Sequence, residues 1–349
     1  MSESAVRLEN VVHPLAPSVQ EQVLSLWEKE KVKIEDKDER LREIVLLAWD
    51  GDELLGIASL GIYRHPGIEQ SLFTLRALVR AESRQQGLSY QMYQAAVERV
   101  EERFDAGEDI RGIGVYVEVE AALIADLAEA RCTFAHTHSV QARKVQFNLV
   151  GISKAGRPQY IYYFENASLF SDGPVLEEKM DKLAADADLE LRFCWQALSP
   201  AEQQQIIGMW MSYGVVGDRE SCMQRLPQVA AIALEEGEIV GISSVFQTTY
   251  DEAKATFLGF RSFVSPNAKS SFIATKLLNL VYDEFNKSYR DDNALQGIHG
   301  VAYVLQNDGL NKNVRMARGP DVGSCLIGYL DKLQLRTKYF DGASVKLGG

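Results

Sequence analysis

Two hydrophobic periods alternate along the chain, and they come in the same order twice. Residues 15–27 place Val23, Leu24 and Trp27 on one face at helical spacing, behind Pro17, which suits a first turn. Residues 198–210 repeat this helix 183 positions on (Leu15 to Leu198), with Ser199 and Glu202 forming a capping box around Pro200. Strand-like runs follow. Residues 44–49 and 53–63, joined by Asp50-Gly51-Asp52, predict a β-hairpin, and residues 230–234 and 238–247, joined by Glu235-Glu236-Gly237, predict another. One shift of 185 positions takes Glu53 to Glu238, Gly56 to Gly241 and Ile57 to Ile242. The same shift carries Arg76 to Arg261, Val79 to Val264, Leu88 to Ile273, Met92 to Leu277, Ala96 to Val281 and Val100 to Phe285.

Two long-range registers that agree within two positions define a head-to-tail duplication. Each copy reads helix, hairpin, strand, tight loop, long helix, strand (112–119 or 297–305), short helix and a closing pair of strands. In the first copy that pair is 145–152 and 159–164, turned by residues 154–158. The expected class is α/β, as an α+β mixed sheet with helices on both faces, in two domains at 1–168 and 189–349. Residues 169–188 form an acidic connector between them.

Length and composition agree, since 349 residues with 46% hydrophobic and 25% charged positions give ample core for two domains. A net charge of -12 argues against nucleic acid or an anionic membrane as partner and suits a cationic one, such as an amine or a basic peptide. No run has the apolar length of a membrane span, and residues 1–7 carry no apolar leader, so a cytoplasmic protein is expected. The four cysteines, Cys132, Cys194, Cys222 and Cys325, show no Cys-x-x-Cys spacing. His136 and His138 share a strand face but lack further ligands, so no metal is expected. No Gly-x-Ser-x-Gly elbow is present.

The chemistry concentrates at residues 75–104, a strand, a tight loop and a helix. The loop is Arg84-Gln85-Gln86-Gly87-Leu88-Ser89, and the free N–H groups at the helix start can receive an anion. Gly87 lets a ligand come close to the backbone, and Ser89 is small enough to keep that approach open. This pattern, Arg/Gln-x-x-Gly-x-Gly/Ala between strand and helix, resembles the coenzyme A loop of the GNAT N-acyltransferase superfamily, and the order of elements resembles that fold over nearly the whole chain.

The resemblance implies acetyl-CoA or a related acyl-CoA as cosubstrate. Its pantetheine arm would lie between two splayed strands, and its pyrophosphate would rest on the amides of Gln85, Gln86, Gly87, Leu88 and Ser89, with Val79 and Arg84 beside them. Arg76 and Arg80 stand near the same loop. The reaction implied is direct attack of a primary amine, on a small molecule or a protein, at the thioester, with the backbone amide of Ala77 as oxyanion donor. The family's glutamate before the loop falls on Phe73 and on Leu258 in the second copy, and its tyrosine falls on Glu129 and Arg315, so neither usual group is present. Substitute bases are Glu118 and Glu120 at the end of the next strand, with Glu69 further off. The second copy has Phe272 where the glycine belongs, so that half is expected to bind coenzyme A weakly or not at all and to act as scaffold, lid or interaction surface. Asn307 matches a family asparagine that holds a turn. Two classes of function fit: an N-acyltransferase working through its N-terminal domain, or a non-catalytic GNAT-fold protein, possible as an oligomer, that recognises partners.

Overall fold

In the computed structural model the chain divides into two compact units, residues 1–124 with 132–175, and residues 125–131 with 176–349. The residues described are 6–84, 87–119, 127–129, 131–134, 145–169, 188–251, 253–289, 295–306, 316–319 and 323–346. Residues 170–187, most of the expected connector, fall outside them. Among the described residues no helix is long and apolar enough to cross a membrane.

The chain runs through β1 (Arg7–Asn10), α1 (Pro17–Lys29), α2 (Lys37–Arg42), β2 (Ile44–Asp50), β3 (Glu53–His65), β4 (Gln70–Val79), α3 (Leu88–Asp105) and β5 (Gly114–Glu118). After β6 (Leu127–Glu129) come β7 (Arg131–Phe134), β8 (Val145–Ile152) and β9 (Pro158–Tyr163). The first unit's sheet has eight strands in the order β1-β2-β3-β4-β5-β9-β8-β7. Neighbours from β1 to β8 are antiparallel except β4 and β5, which run parallel.

Each helix forms where an apolar stripe meets a start signal. α1 has Pro17 in its first turn and buries Val23, Leu26 and Trp27. Leu26 takes the inner position that the spacing assigned to Leu24, which packs only at the edge of that cluster. α3 buries the expected Leu88, Met92, Ala96 and Val100, with Phe104 completing the stripe. Beneath them Gly56 lies so close that a Cβ there would sit 2.9 Å from the Leu78 carbonyl oxygen and 3.1 Å from the Met92 sulfur. Glu101 ties α3 to the far side of the sheet, accepting 2.8 Å hydrogen bonds from the Tyr162 hydroxyl and the Glu165 amide.

The second unit contains β10 (Leu189–Phe193), α4 (Pro200–Ser212), α5 (Arg219–Arg225), β11 (Val229–Glu235), β12 (Glu238–Tyr250), β13 (Ala255–Val264), α6 (Ile273–Ser288), β14 (Ile298–Val304), β15 (Cys325–Leu330), β16 (Leu333–Tyr339) and β17 (Ser344–Lys346). Its sheet has seven strands, ordered β10-β11-β12-β13-β14-β16-β15, with β13 and β14 parallel. The expected capping box is formed at α4 by Ser199 and Glu202. α6 buries Ile273, Leu277, Val281 and Phe285, the positions that answer α3.

Pairing repeats as the sequence shift requires. Gly56 faces Val79 and Gly241 faces Val264, while Ser59 faces Arg76 and Ser244 faces Arg261. The parallel pairing ends at Thr74 with Tyr116 in one unit and at Gly259 with Ala302 in the other. Both units are therefore α+β with one mixed sheet each. One element departs from expectation. Residues 127–129, expected in a short helix carrying Glu129, are instead strand β6, paired antiparallel with β17 (Ser344 with Glu129, Lys346 with Leu127). Backbone pairing with a distant segment overrides local helical preference here.

Candidate functional site

The hydrogen-bonded pairing at the parallel junction of the first unit stops short of both strand ends, and the edge beyond it is called the gap below. β4 and β5 pair only at Phe73 with Val115 and Thr74 with Tyr116, yet β4 continues to Val79 and β5 to Glu118. Ile113 donates to the Ser71 carbonyl at 3.0 Å, which directs the odd-numbered residues of β4 toward β5. The Arg80 amide donates to Leu55 at 2.9 Å, which directs the even-numbered ones toward β3. By strand alternation the N–H and C=O groups of Leu75 and Ala77 face the gap, beyond the last paired residue. The Ala77 amide lies on that unpaired edge.

The loop beyond β4 begins with a 3-10 turn at Ala81–Ser83 and ends at Gly87, which caps α3. Gly87 has φ +73°, a left-handed conformation, and nothing lies within 4 Å of where a Cβ would stand. Gln85 and Gln86 lie outside the described residues, as do Glu120, His138, Asn307 and Arg315. Leu88 turns its side chain into the core, so only its backbone is available to a ligand. Ser89 follows it in the first turn of α3, half-buried. Val79 is buried, and its carbonyl accepts from Arg84 Nε at 3.0 Å.

The three arginines around this loop are all engaged within the unit. Arg84 pairs with Glu30, whose other oxygen accepts from the Ala81 amide at 3.0 Å. Arg80 pairs with Glu53, and Arg76 lies 3.4 Å from Glu43. These contacts fix the loop against α1 and the hairpin. They also mean that each guanidinium would have to share or exchange its carboxylate to meet a phosphate.

Phe73 points to the opposite face, under α3, with its ring 6.1 Å from Phe164. Glu118 stands at the end of β5. The register of Thr74 with Tyr116 brings it level with Arg76, one residue from Ala77. Its carboxylate accepts from the Tyr116 hydroxyl at 3.2 Å and from Gln159 at 3.3 Å, and Arg157 lies 3.5 Å away. Tyr116 is buried, and burial followed by the nearby Glu118 charge pushes its hydroxyl pKa up, so it stays a neutral donor. Tyr63 packs on it at 4.9 Å between ring centroids, and His65 at 5.7 Å.

The spacing did not reveal this Tyr63–His65–Tyr116 cluster; the only signal was alternation at 63 and 65 on a strand whose pairing partner was unknown. Burial holds the His65 imidazole below its ordinary pKa, so it is neutral near pH 7. It pairs with Gln70, however, seven residues from Ala77, which at about 3.3 Å per residue is too distant to take a proton in the gap. Glu69 is exposed in the β3–β4 turn beside His65 and is remote for the same reason.

No protein-family profile and no curated protein matches the chain. Solved structures do, and 172 chains are similar. One is a GNAT-family acetyltransferase from Streptococcus pneumoniae, at 9% identity, covering 46% of this chain and 99% of that one, with a TM-score of 0.28. Another is the ribosomal-protein-S5-alanine acetyltransferase of Vibrio fischeri, at 15% identity over 44% of this chain and 94% of that one, TM-score 0.31. A third is diaminobutyrate acetyltransferase from Paenibacillus lautus in complex with L-2,4-diaminobutyric acid and coenzyme A, at 15% identity over 36% of this chain and 70% of that one, TM-score 0.25. Scores this low carry no argument, and the reading of the site rests on the geometry above.

The second unit repeats this early end of parallel pairing, and its loop is built differently. Phe272 caps α6 with φ +57°, the left-handed position that Gly87 fills in the first unit, and is 53% exposed. The amides of Ser270 and Lys269 donate to the Glu235 carboxylate at 2.7 Å and 3.0 Å. A hydrogen bond with the Ser270 side chain first, and then those from the two amides, hold the Glu235 carboxyl below the ordinary carboxylate range. A side chain of the unit itself thus takes up two amides ahead of α6, of which that of Ser270 answers Gln85.

Proposed function

We propose that the first unit binds acetyl-CoA, or a related acyl-CoA, in the gap between β4 and β5 and transfers its acyl group to a primary amine. The observation that carries this reading is the splay beyond Thr74 and Tyr116, with the Ala77 amide on its edge and the open, left-handed Gly87 at the start of α3. The unpaired strand edge suits an extended pantetheine arm, and the amides of the loop and first turn suit its pyrophosphate. The thioester supplies an acyl group already activated for attack. The Ala77 N–H would stabilise negative charge developing on its carbonyl oxygen. Glu118, directly or through water, would take the proton that the amine nitrogen loses as the new C–N bond forms and the C–S bond breaks. Tyr116 and Gln159 would hold that carboxylate in place. The acidic surface favours a cationic acceptor. The second unit, with Phe272 at the glycine position and Glu235 on its loop amides, is read as a unit that does not bind coenzyme A.

The test is a melting curve with and without acetyl-CoA, since a ligand that binds only the folded state raises Tm. Stabilisation of the wild type that Gly87→Phe abolishes supports the reading. Acetyl transfer to simple primary amines that falls by about 10²–10⁴-fold in Glu118→Gln, with acetyl-CoA binding retained, supports the role of the base. A wild type indifferent to acetyl-CoA makes the chain a non-catalytic GNAT-like protein, a reading that the buried Phe73 and the engaged arginines favour.

A further inference from the structure

The two units share one constellation that only the first completes. In the first unit Arg40 and Arg76 converge on a single carboxylate oxygen of Glu43, at 2.5 Å and 3.4 Å. The 185-position shift maps Arg40 to Arg225, Arg76 to Arg261 and Glu43 to Gln228. Both arginines are kept and the acid between them is gone. The backbone frame is the same, because Ser59 faces Arg76 and Ser244 faces Arg261 across the equivalent strand pair. Arg225 reaches the Ser244 hydroxyl at 3.5 Å, so the two guanidiniums approach the same point of the sheet, on the face turned away from α6.

Among the described residues neither guanidinium forms an ion pair, and Arg225 Nε is buried without a hydrogen-bond partner. Each is instead braced by an aromatic ring, Arg225 lying 5.1 Å from the Trp210 ring centre and Arg261 3.8 Å from that of Phe246. The bare pair does not reflect a shortage of acids, since the chain has 49 acidic and 37 basic residues. Like charges brought together and partly desolvated without a counter-charge are unfavourable, and burial together with Arg261 lowers the Arg225 pKa. Rings that fix the planes of two guanidiniums also preorganise them for a planar anion.

We infer that Arg225 and Arg261 form a binding site for the carboxylate of a small organic ligand, which occupies the place that Glu43 fills in the first unit. The recognised group is a carboxylate rather than a phosphate because a carboxylate oxygen is what the matching pair already holds. Arg261 is exposed and Arg225 half-buried, so the ligand enters from solvent with its remainder directed outward. The site does not depend on acyl transfer by the first unit.

The experiment uses the full chain, with N-acetylglycine as probe and inorganic phosphate and chloride at matched ionic strength as controls, read by ligand-detected NMR titration. N-acetylglycine should bind saturably and more tightly than either control. Arg261→Gln should weaken it by about tenfold or more, as expected for a lost charge-assisted hydrogen bond. Gln228→Glu should restore the internal acid, raise Tm by a few degrees and abolish binding of the probe. Arg261 is exposed, so its replacement leaves the fold intact and the affinity readout stands even if Gln228→Glu fails to fold. Probe binding no stronger than chloride, preference for phosphate, or undiminished binding in Arg261→Gln each overturn the inference.

Discussion

Reciprocal substitutions at Gly87 and Phe272 test whether the two helix starts differ as the backbone indicates. A residue with a Cβ pays about 1–2 kcal/mol to hold a left-handed conformation, and glycine returns about 0.5–1 kcal/mol of that through its greater freedom when unfolded. Phe272 is 53% exposed, so removing its ring uncovers little buried surface. Phe272→Gly should therefore stabilise the second unit by about 0–1.5 kcal/mol, or up to a few degrees in Tm. Gly87→Ala should destabilise the first unit by a similar amount, because the Cβ meets no atom within 4 Å and strain alone is added. Scanning calorimetry of the full chain measures both. Acetyl-CoA adds a second arm: Phe272→Gly alone should leave the second unit unresponsive, since Glu235 still occupies the amides of Lys269 and Ser270. A loss of more than about 1 kcal/mol in Phe272→Gly would show that no backbone strain is relieved there. An acetyl-CoA response gained by the second unit in that single variant would refute the role assigned to Glu235.

Further expectations concern what holds each unit together. Glu101→Ala removes the carboxylate that accepts from the buried Tyr162 hydroxyl and the Glu165 amide, and should lower stability by about 1–3 kcal/mol, seen as a drop in the urea midpoint at unchanged slope. Ser199→Ala removes the α4 capping box at a cost of about 1 kcal/mol by the same assay. Burial sets the His299 pKa below its ordinary 6.5, so as pH falls the unfolded chain takes up the proton first. Stability is then fully present above about pH 6.5 and drains as pH falls toward the folded-state pKa. Stability curves between about pH 7 and 5.5 should be flatter in His299→Gln than in the wild type.

What the sequence disclosed follows from which forces repeat locally. The stripes of α3 and α6 and the glycines at 56 and 241 were legible because a helix laid on a strand constrains both at fixed spacing. Leu24 was exchanged for Leu26 on α1 because Leu24 stands three positions before Trp27 and Leu26 three after Val23, so both fit the spacing and only the packed neighbours decide. Strand β6 was missed because its partner, β17, lies more than 200 positions away (Glu129 to Ser344), and no local signal announces so remote a pairing. The same distance problem hid the chemistry. That Arg84 belongs to Glu30, or that Glu235 reaches the loop at Lys269, depends on which loops fold beside one another. The candidate base Glu118 was legible as a strand end, whereas its bracing by Tyr116 and Gln159 required the β5–β9 register.

The Glu235 contact bears on how the second half answers the cell. The second half carries its own counter-anion as a covalent part of the chain, always present at one equivalent, and its loop is ordered whatever the metabolic state. On this account the second half furnishes its own room and waits for no guest.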